Sequence, residues 1–265
     1  MNYFQHIDKS HGLHQLESHG CSLLGFSKLS LATGETHSAN SAEREILLVV
    51  LAGKAKVVVN TQEFPSVGGR ANVFAGNPHS VYIPCHSSFT ITALSPLELA
   101  LPSAPSDLQT APYEIKPSEV NTGTWGKLNF TRHFREILVQ PNGLPASRLI
   151  VGETITPSGN WSSYPPHKHE VNAGSEVFHE EMYYFRVSSP DGFGLCRHYS
   201  PERDYDTTHT VKDDSILSIP HGYHTYSSAP GYASYYLWFL AGDGRKQGVS
   251  FDSEVGWVQK TVGML

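Results

Sequence analysis

Ile46-Leu47-Leu48-Val49-Val50-Leu51-Ala52 is a short apolar run closed by Gly53, and the next stretch, Lys54-Ala55-Lys56-Val57-Val58-Val59-Asn60, interleaves lysine with valine. The shortness and β-branched content of the first favour a buried strand over a helix. Alternation in the second predicts a strand with one wet face. Outward from this pair, Ala71 to Ala75, Val81 to Ile83 and Phe89 to Leu94 add short strands between Gly, Pro and Asn punctuation. Helical periodicity is almost absent. Many short strands with turns every ~8–12 residues predict an all-β sandwich or barrel.

The chain has 265 residues, room for one large domain or two small ones, and needs no disulfide staples at that length. A net charge of -6 argues against a nucleic-acid partner, which would demand a basic face. Cys21, Cys85 and Cys196 form no CxxC and read as free thiols of a reducing compartment. The start shows no basic segment followed by an apolar core, and the Ile46 to Ala52 run is far too short to span a bilayer. The expectation is a soluble cytoplasmic protein without a membrane partner. Residues 1–20, with His6, His11, His14 and His19, read as a solvated arm.

Pro102, Pro105, Pro112 and Pro117 mark the best boundary, because proline removes backbone donors. Residues 1–106 then form one unit, 107–147 a linker and crossing segment, and 148–265 a second unit. Within the crossing segment, Arg132-His133-Phe134-Arg135 reads as solvated surface, with contact to an anionic ligand as the other reading. The stretch before Pro84 echoes the stretch before Pro220 in its order of strand, Pro/Gly turn and strand. Two tandem β-barrels are the economical interpretation. His37, His79 and His86 complete no ligand set, so the first half is read as structural and metal-free.

The second half carries the chemistry. In Pro165-Pro166-His167-Lys168-His169, side chains at i and i+2 of a strand share a face, so both imidazoles can reach one ion. Glu181 opens the apolar strand through Val187, and His224 follows the Pro220-His221-Gly222 turn. Three imidazoles and a carboxylate suit zinc first, with Mn, Fe, Co or Ni as alternatives. Eleven residues separate His169 from Glu181, which leaves Glu176 and Glu180 as other candidates for the carboxylate. His221 reads as a rim residue.

This order of HxH, Glu and a His after Pro-x-Gly resembles the cupin pattern, which implies two tandem cupin (double-stranded β-helix, or jelly-roll) barrels. The strings PPHKH, EEMYYFR (Glu180 to Arg186) and IPHGYH (Ile219 to His224), with APGY (Ala229 to Tyr232), closely resemble the 5-deoxy-glucuronate isomerase family of myo-inositol catabolism, a bicupin family related to 5-keto-4-deoxyuronate isomerase. Trp238, in place of a smaller polar residue, and the segment after Arg245 depart from that pattern. The resemblance implies a divalent metal held by His167, His169, Glu181 and His224, and an aldose–ketose isomerisation of 5-deoxy-glucuronate to 5-dehydro-2-deoxy-gluconate. The partner it implies is a small sugar acid; a homodimer follows by analogy.

A base must carry a proton between C2 and C1. Glu180, Tyr183 and Tyr223 are the chosen candidates, beside Glu176, His179 and His198. A uronate carboxylate needs a cation, for which Lys168, Arg186 and Arg197 are available, although alternation turns Arg186 away from the Glu181 face. A metal-dependent dioxygenase, another uronate isomerase and a non-catalytic sugar-binding cupin are the rival readings. A polar, cation-bearing cavity would favour the sugar isomerase.

Overall fold

In the computed structural model, which describes residues 2–262, antiparallel strands build four sheets. A six-stranded sheet runs in the order Tyr113–Ile115, Ser80–Ile83, Arg44–Ala52, Leu97–Pro105, Gly25–Leu31, Gly12–Gln15. It shares a core with a four-stranded sheet of Thr36–Asn40, Ser88–Ala93, Lys54–Val59 and Gln62–Gly68. Leu48, Val50, Val57, Val59, Phe89 and Ile91 fill this first barrel.

The second barrel repeats the plan. Its larger sheet runs Phe4–His6, Ser215–Ile219, His179–Val187, Ser234–Gly242, Ile150–Thr156, Arg132–Leu138, Asn121–Trp125. The smaller one runs Tyr205–Val211, Gly194–Ser200, Tyr223–Ser228, Trp161–Lys168, Ser250–Phe251. Tyr183, Phe185, Cys196, Leu217, Tyr226 and Tyr236 lie inside. The echo before Pro84 and Pro220 has a structural basis: Ser80–Ile83 and Ser215–Ile219 hold equivalent places, each paired with the central strand of its sheet.

A third core joins the outer faces of the two large sheets. Leu47, Val49 and Leu51 from one side meet Met182, Tyr184, Leu237 and Phe239 from the other. Both faces of Arg44–Ala52 are therefore buried, one in the barrel and one between barrels, and that is why its sequence shows no polar alternation. Lys54–Val59 has one face toward solvent and alternates.

Two features differ from expectation. Residues 2–20 of the expected arm are not free: Phe4–His6 adds an edge strand to Ser215–Ile219, and Ile7 and Leu16 are buried; residue 1 lies outside the described residues. Residues 107–147 carry three strands, of which Tyr113–Ile115 extends the first barrel's sheet while Asn121–Trp125 and Arg132–Leu138 extend the second's. The polar sequences of Phe4–His6, Gly12–Gln15, Tyr113–Ile115 and Asn121–Trp125 reflect edge positions, where one side of the strand stays wet; Arg132–Leu138 lies one strand in. Among the described residues no helix is long and apolar enough to cross a membrane.

Candidate metal centre

Three strands of the second barrel converge on one end of its interior. Trp161–Lys168 carries His167 next to its end, with His169 just beyond; His179–Val187 brings Glu181; Tyr223–Ser228 brings His224. His167 and His224 are direct cross-strand partners, with ring centroids 4.4 Å apart. One ligand atom from each of His167, His169, Glu181 and His224 lies within 4.8 Å of the others. His169 Nε2 is 3.0 Å, and His224 Nε2 3.1 Å, from Glu181 Oε2.

The donor set fits a divalent ion on its own chemistry. His169 Nδ1 donates to the His179 carbonyl at 2.7 Å, which fixes the tautomer and leaves Nε2 turned to Glu181. His224 is fully buried, and neither of its ring nitrogens makes an aligned hydrogen bond. Two orphaned nitrogens in a buried ring are costly unless a ligand satisfies them. Burial drives the Glu181 carboxyl upward, but the His169 and His224 rings, 3.0 and 3.1 Å away, outweigh it and hold its pKa well below the ordinary range. Burial, then the neighbouring His224 and His169, push His167 well below its ordinary value. The cluster therefore presents an ionised carboxylate and a neutral His167, as metal ligation requires, while against burial the hydrogen bond and charge of Glu181 raise His169, whose Nε2 proton an incoming ion must displace.

A cavity of about 140 Å³ opens onto this cluster. Tyr183, Tyr236, Trp238, Thr154, Ser163, and Arg132 stacked near Trp125 supply much of its wall. Trp238 fits because its strand partner is Gly152: a Cβ there would lie 2.1 Å from the indole. The Trp238 Nε1–H donates to Thr154 Oγ1 at 3.1 Å. The segment after Arg245 closes another side through Gln247, Gly248 and Val249, held by Val177 N donating to Gly248 O at 3.1 Å. Both departures from the family pattern thus face the cavity.

Of the catalytic candidates, Tyr183 lines the cavity, with its hydroxyl 3.0 Å from Ser163 Oγ. Glu180 and Tyr223 do not. Glu180 points between the barrels, where it accepts from the backbone amides of Ser22, Leu23 and Leu24. Tyr223 stacks on Tyr199 and lies beneath Lys168. Glu176, an alternative carboxylate, is spent on the amides of Glu170 and Val171 and braces the loop before Glu181. His198 donates through Nε2 to the His221 carbonyl at 2.7 Å and is outside the cavity wall. His179 is in the wall, with Nε2 3.1 Å from the Gly244 carbonyl.

The three expected substrate cations are elsewhere, each in an ion pair. Lys168 binds Glu170 at 2.7 Å and Glu202 at 3.3 Å, on the opposite strand face from the two histidines. Arg186 binds Glu98 and Asp213 at 2.7 and 2.8 Å between the barrels, as alternation requires. Arg197 pairs with Asp206 at 2.6 Å on the surface. Arg132, read from sequence as solvated surface, is instead half-buried in the cavity wall. Alternation explains the error: Arg132 and Phe134 turn inward, while Arg135 turns out to Glu153.

The model of the KduI/IolB family matches residues 5–258. The chain belongs to the KduI/IolB family. Proteins named 5-deoxy-glucuronate isomerase are similar to it along most of its length. That of Geobacillus thermodenitrificans (strain NG80-2) is 38% identical over 247 residues, covering 92% of this chain and 89% of the relative. That of Bacillus subtilis (strain 168) is 37% identical over 236 residues, covering 88% and 86%. An IolB-like protein from Salmonella typhimurium LT2, solved by crystallography, superposes with a TM-score of 0.93 at 33% identity, covering 98% of this chain and all of that one (100%). An oxalate decarboxylase of Lactobacillus farciminis superposes with a TM-score of 0.67 at 11% identity, covering 98% and 90%, and shows the shared bicupin fold.

Proposed function

We propose that this chain is a metal-dependent aldose–ketose isomerase that converts 5-deoxy-glucuronate into 5-dehydro-2-deoxy-gluconate in inositol catabolism. The observation that carries this reading is the buried His167/His169/Glu181/His224 cluster opening onto a cavity, in a chain of the KduI/IolB family. The relatives' names supply the substrate. Much of the cavity wall is aromatic or apolar, but it holds a cation, Arg132, and that cation favours a sugar acid over the substrate of a dioxygenase.

His167, His169, Glu181 and His224 would hold one divalent ion, zinc first and Mn, Fe, Co or Ni next by donor type. Such an ion supplies Lewis acidity to a carbonyl and its neighbouring hydroxyl. Tyr183 keeps its proton: burial, then the Glu181 charge, raise its pKa well above the ordinary value. Its hydroxyl, oriented by Ser163, is a fixed donor for a substrate oxygen. Trp238 and Val249 give the same space an apolar wall. Glu180 and Tyr223 are withdrawn as proton carriers on their placement. A cytoplasmic setting, which three free cysteines suit, and a homodimeric assembly belong to the same proposal.

Incubation with 5-deoxy-glucuronate, read as ketose formation, tests the reading. We expect about one equivalent of divalent metal per chain, loss of turnover on chelation and recovery on adding metal back. Full turnover by metal-free protein would sink it. The ion that co-purifies and best restores rate identifies the native metal.

A further inference from the structure

We propose that Arg132 recognises the carboxylate of the substrate, so that this cavity selects an acidic sugar over its neutral counterpart. The identity of the sugar rests on the isomerase reading above; the charge selection does not.

Arg132 is the one Lys or Arg in the cavity wall among the described residues. It lies on the inward face of Arg132–Leu138, on the same side as Phe134 and its strand partner Thr154. Its guanidinium carbon is 5.5 Å from the Trp125 ring centroid, a cation–π contact that seats the planar group without using an acceptor. Among the described residues no carboxylate and no hydrogen-bond acceptor pairs with it. The contrast with the other cations is sharp. Arg135, three residues on, is tied to Glu153, and Lys168, Arg186 and Arg197 are tied to Glu170, Asp213 and Asp206.

A half-buried cation without a partner is destabilising, and burial lowers the pKa of Arg132 from its ordinary value. Protein structure tolerates such a group where an anionic ligand completes it. The planar fork of Arg matches a carboxylate with two parallel N–H donors. Arg132 comes from the larger sheet, one strand in from its edge, and Glu181 from the middle of the same sheet, whereas His167 and His224 come from the smaller one. A sugar acid can therefore place its carbonyl end toward the ligand cluster and its carboxylate toward Arg132. The carbonyl end is then read by the cluster and the carboxylate end by Arg132, and this fixes which carbon faces the cluster.

The test compares metal-loaded wild type with Arg132→Met and Arg132→Lys. Calorimetry measures binding of two probes, glucuronate and glucose; elemental analysis measures metal; turnover of 5-deoxy-glucuronate is followed in parallel. We expect wild type to prefer the acid, and Arg132→Met to lose that preference by about a hundredfold or more with metal retained. Arg132→Lys should keep part of it, because the charge remains and the fork is lost. Wild type without a preference, or Arg132→Met with the preference intact, overturns the inference. Should Arg132→Met fail to fold, Arg132→Lys decides: affinity for glucuronate equal to wild type overturns bidentate recognition. Wild type that binds glucuronate through Arg132 but leaves 5-deoxy-glucuronate unconverted refutes the isomerase reading and leaves this one standing.

Discussion

In the first barrel Phe89 sits between Ala39 and Val59 on neighbouring strands; in the second, His224 sits between His167 and His198. Phe89 and His224 are each the second residue of equivalent strands, and Ile46 and Glu181 each the third of theirs. One row of the fold is therefore filled twice. Ala39, Phe89 and Ile46 pack into the apolar core of the first barrel. His167, His224 and Glu181 take the same places in the second, beside a cavity. The difference teaches that the frame itself does not need the ligands. Apolar side chains close the row by packing; polar ones keep it open and must be satisfied by something bound.

The most disruptive way to break this comparison is to import the first barrel's residue into the second. His224→Phe removes a proposed ligand and two unpartnered ring nitrogens while keeping an aromatic ring. We expect metal binding to be lost and turnover to fall roughly a thousandfold or more, since the Lewis acid contributes several kcal/mol. The unfolding midpoint of the metal-free protein should hold or rise. A variant that retains one equivalent of metal shows that the cluster does not depend on this row.

A second correspondence concerns the seam. Lys28 and Glu153 are each the fourth residue of equivalent strands, and each forms a buried ion pair with the opposite barrel, of reversed sign. Lys28 binds Asp214 at 2.7 Å, with the Tyr184 hydroxyl on the same carboxylate. Glu153 binds Arg70 at 2.5 Å, with the Tyr235 hydroxyl at 2.8 Å. Glu45 and Glu180 show the same reciprocity: each takes the backbone amides that begin the other barrel's strand, Ser147 to Leu149 for one and Ser22 to Leu24 for the other. Arg70→Met leaves Glu153 with Arg135 alone, and Lys28→Met leaves Asp214 with the exposed Lys9. Each should cost about 3–5 kcal/mol in urea unfolding. Arg197→Met, which breaks an exposed pair, should cost no more than about 1 kcal/mol. Equal costs at all three positions would mean that the seam pairs are no more important than surface ones.

The convergence of His167, His169, Glu181 and His224 was legible because it depends on local rules. Alternation placed His167 and His169 on one face, and the start of an apolar strand singled out Glu181 from Glu176 and Glu180. The inner core was legible for the same reason. The partners of Lys168, Arg186 and Arg197 were not, because Glu202, Glu98 and Asp206 come from segments that only tertiary packing brings near. Glu180 could not be told from a proton carrier without knowing that Ser22 to Leu24 lie over it. Arg132 was missed although the signal was present. Treating Arg132 to Arg135 as one basic cluster ignored the period of a strand, which sends the two arginines to opposite faces.

The smallest expected effect sharpens the comparison at the row's last member. His198 replaces the Val59 of the first barrel, and burial, with lesser contributions from His224, His221 and His209, lowers its pKa to about 4. The unfolded chain titrates near 6.5. Between those values the unfolded state binds the proton and the native state does not, so stability falls as pH drops through 6.5 and levels off below about 4. From pH 7 to pH 5 this one group should remove about 2 kcal/mol. A bound divalent ion near His224 adds positive charge and acts in the same direction. His198→Gln keeps a donor for the His221 carbonyl and cannot titrate. Urea midpoints of both proteins at pH 7 and pH 5, with the same metal content, isolate the difference. The variant should lose less stability on acidification than the parent by about that amount; parallel losses would mean that His198 is protonated in the native barrel, and that a polar residue in this row needs no neutral state to be accommodated.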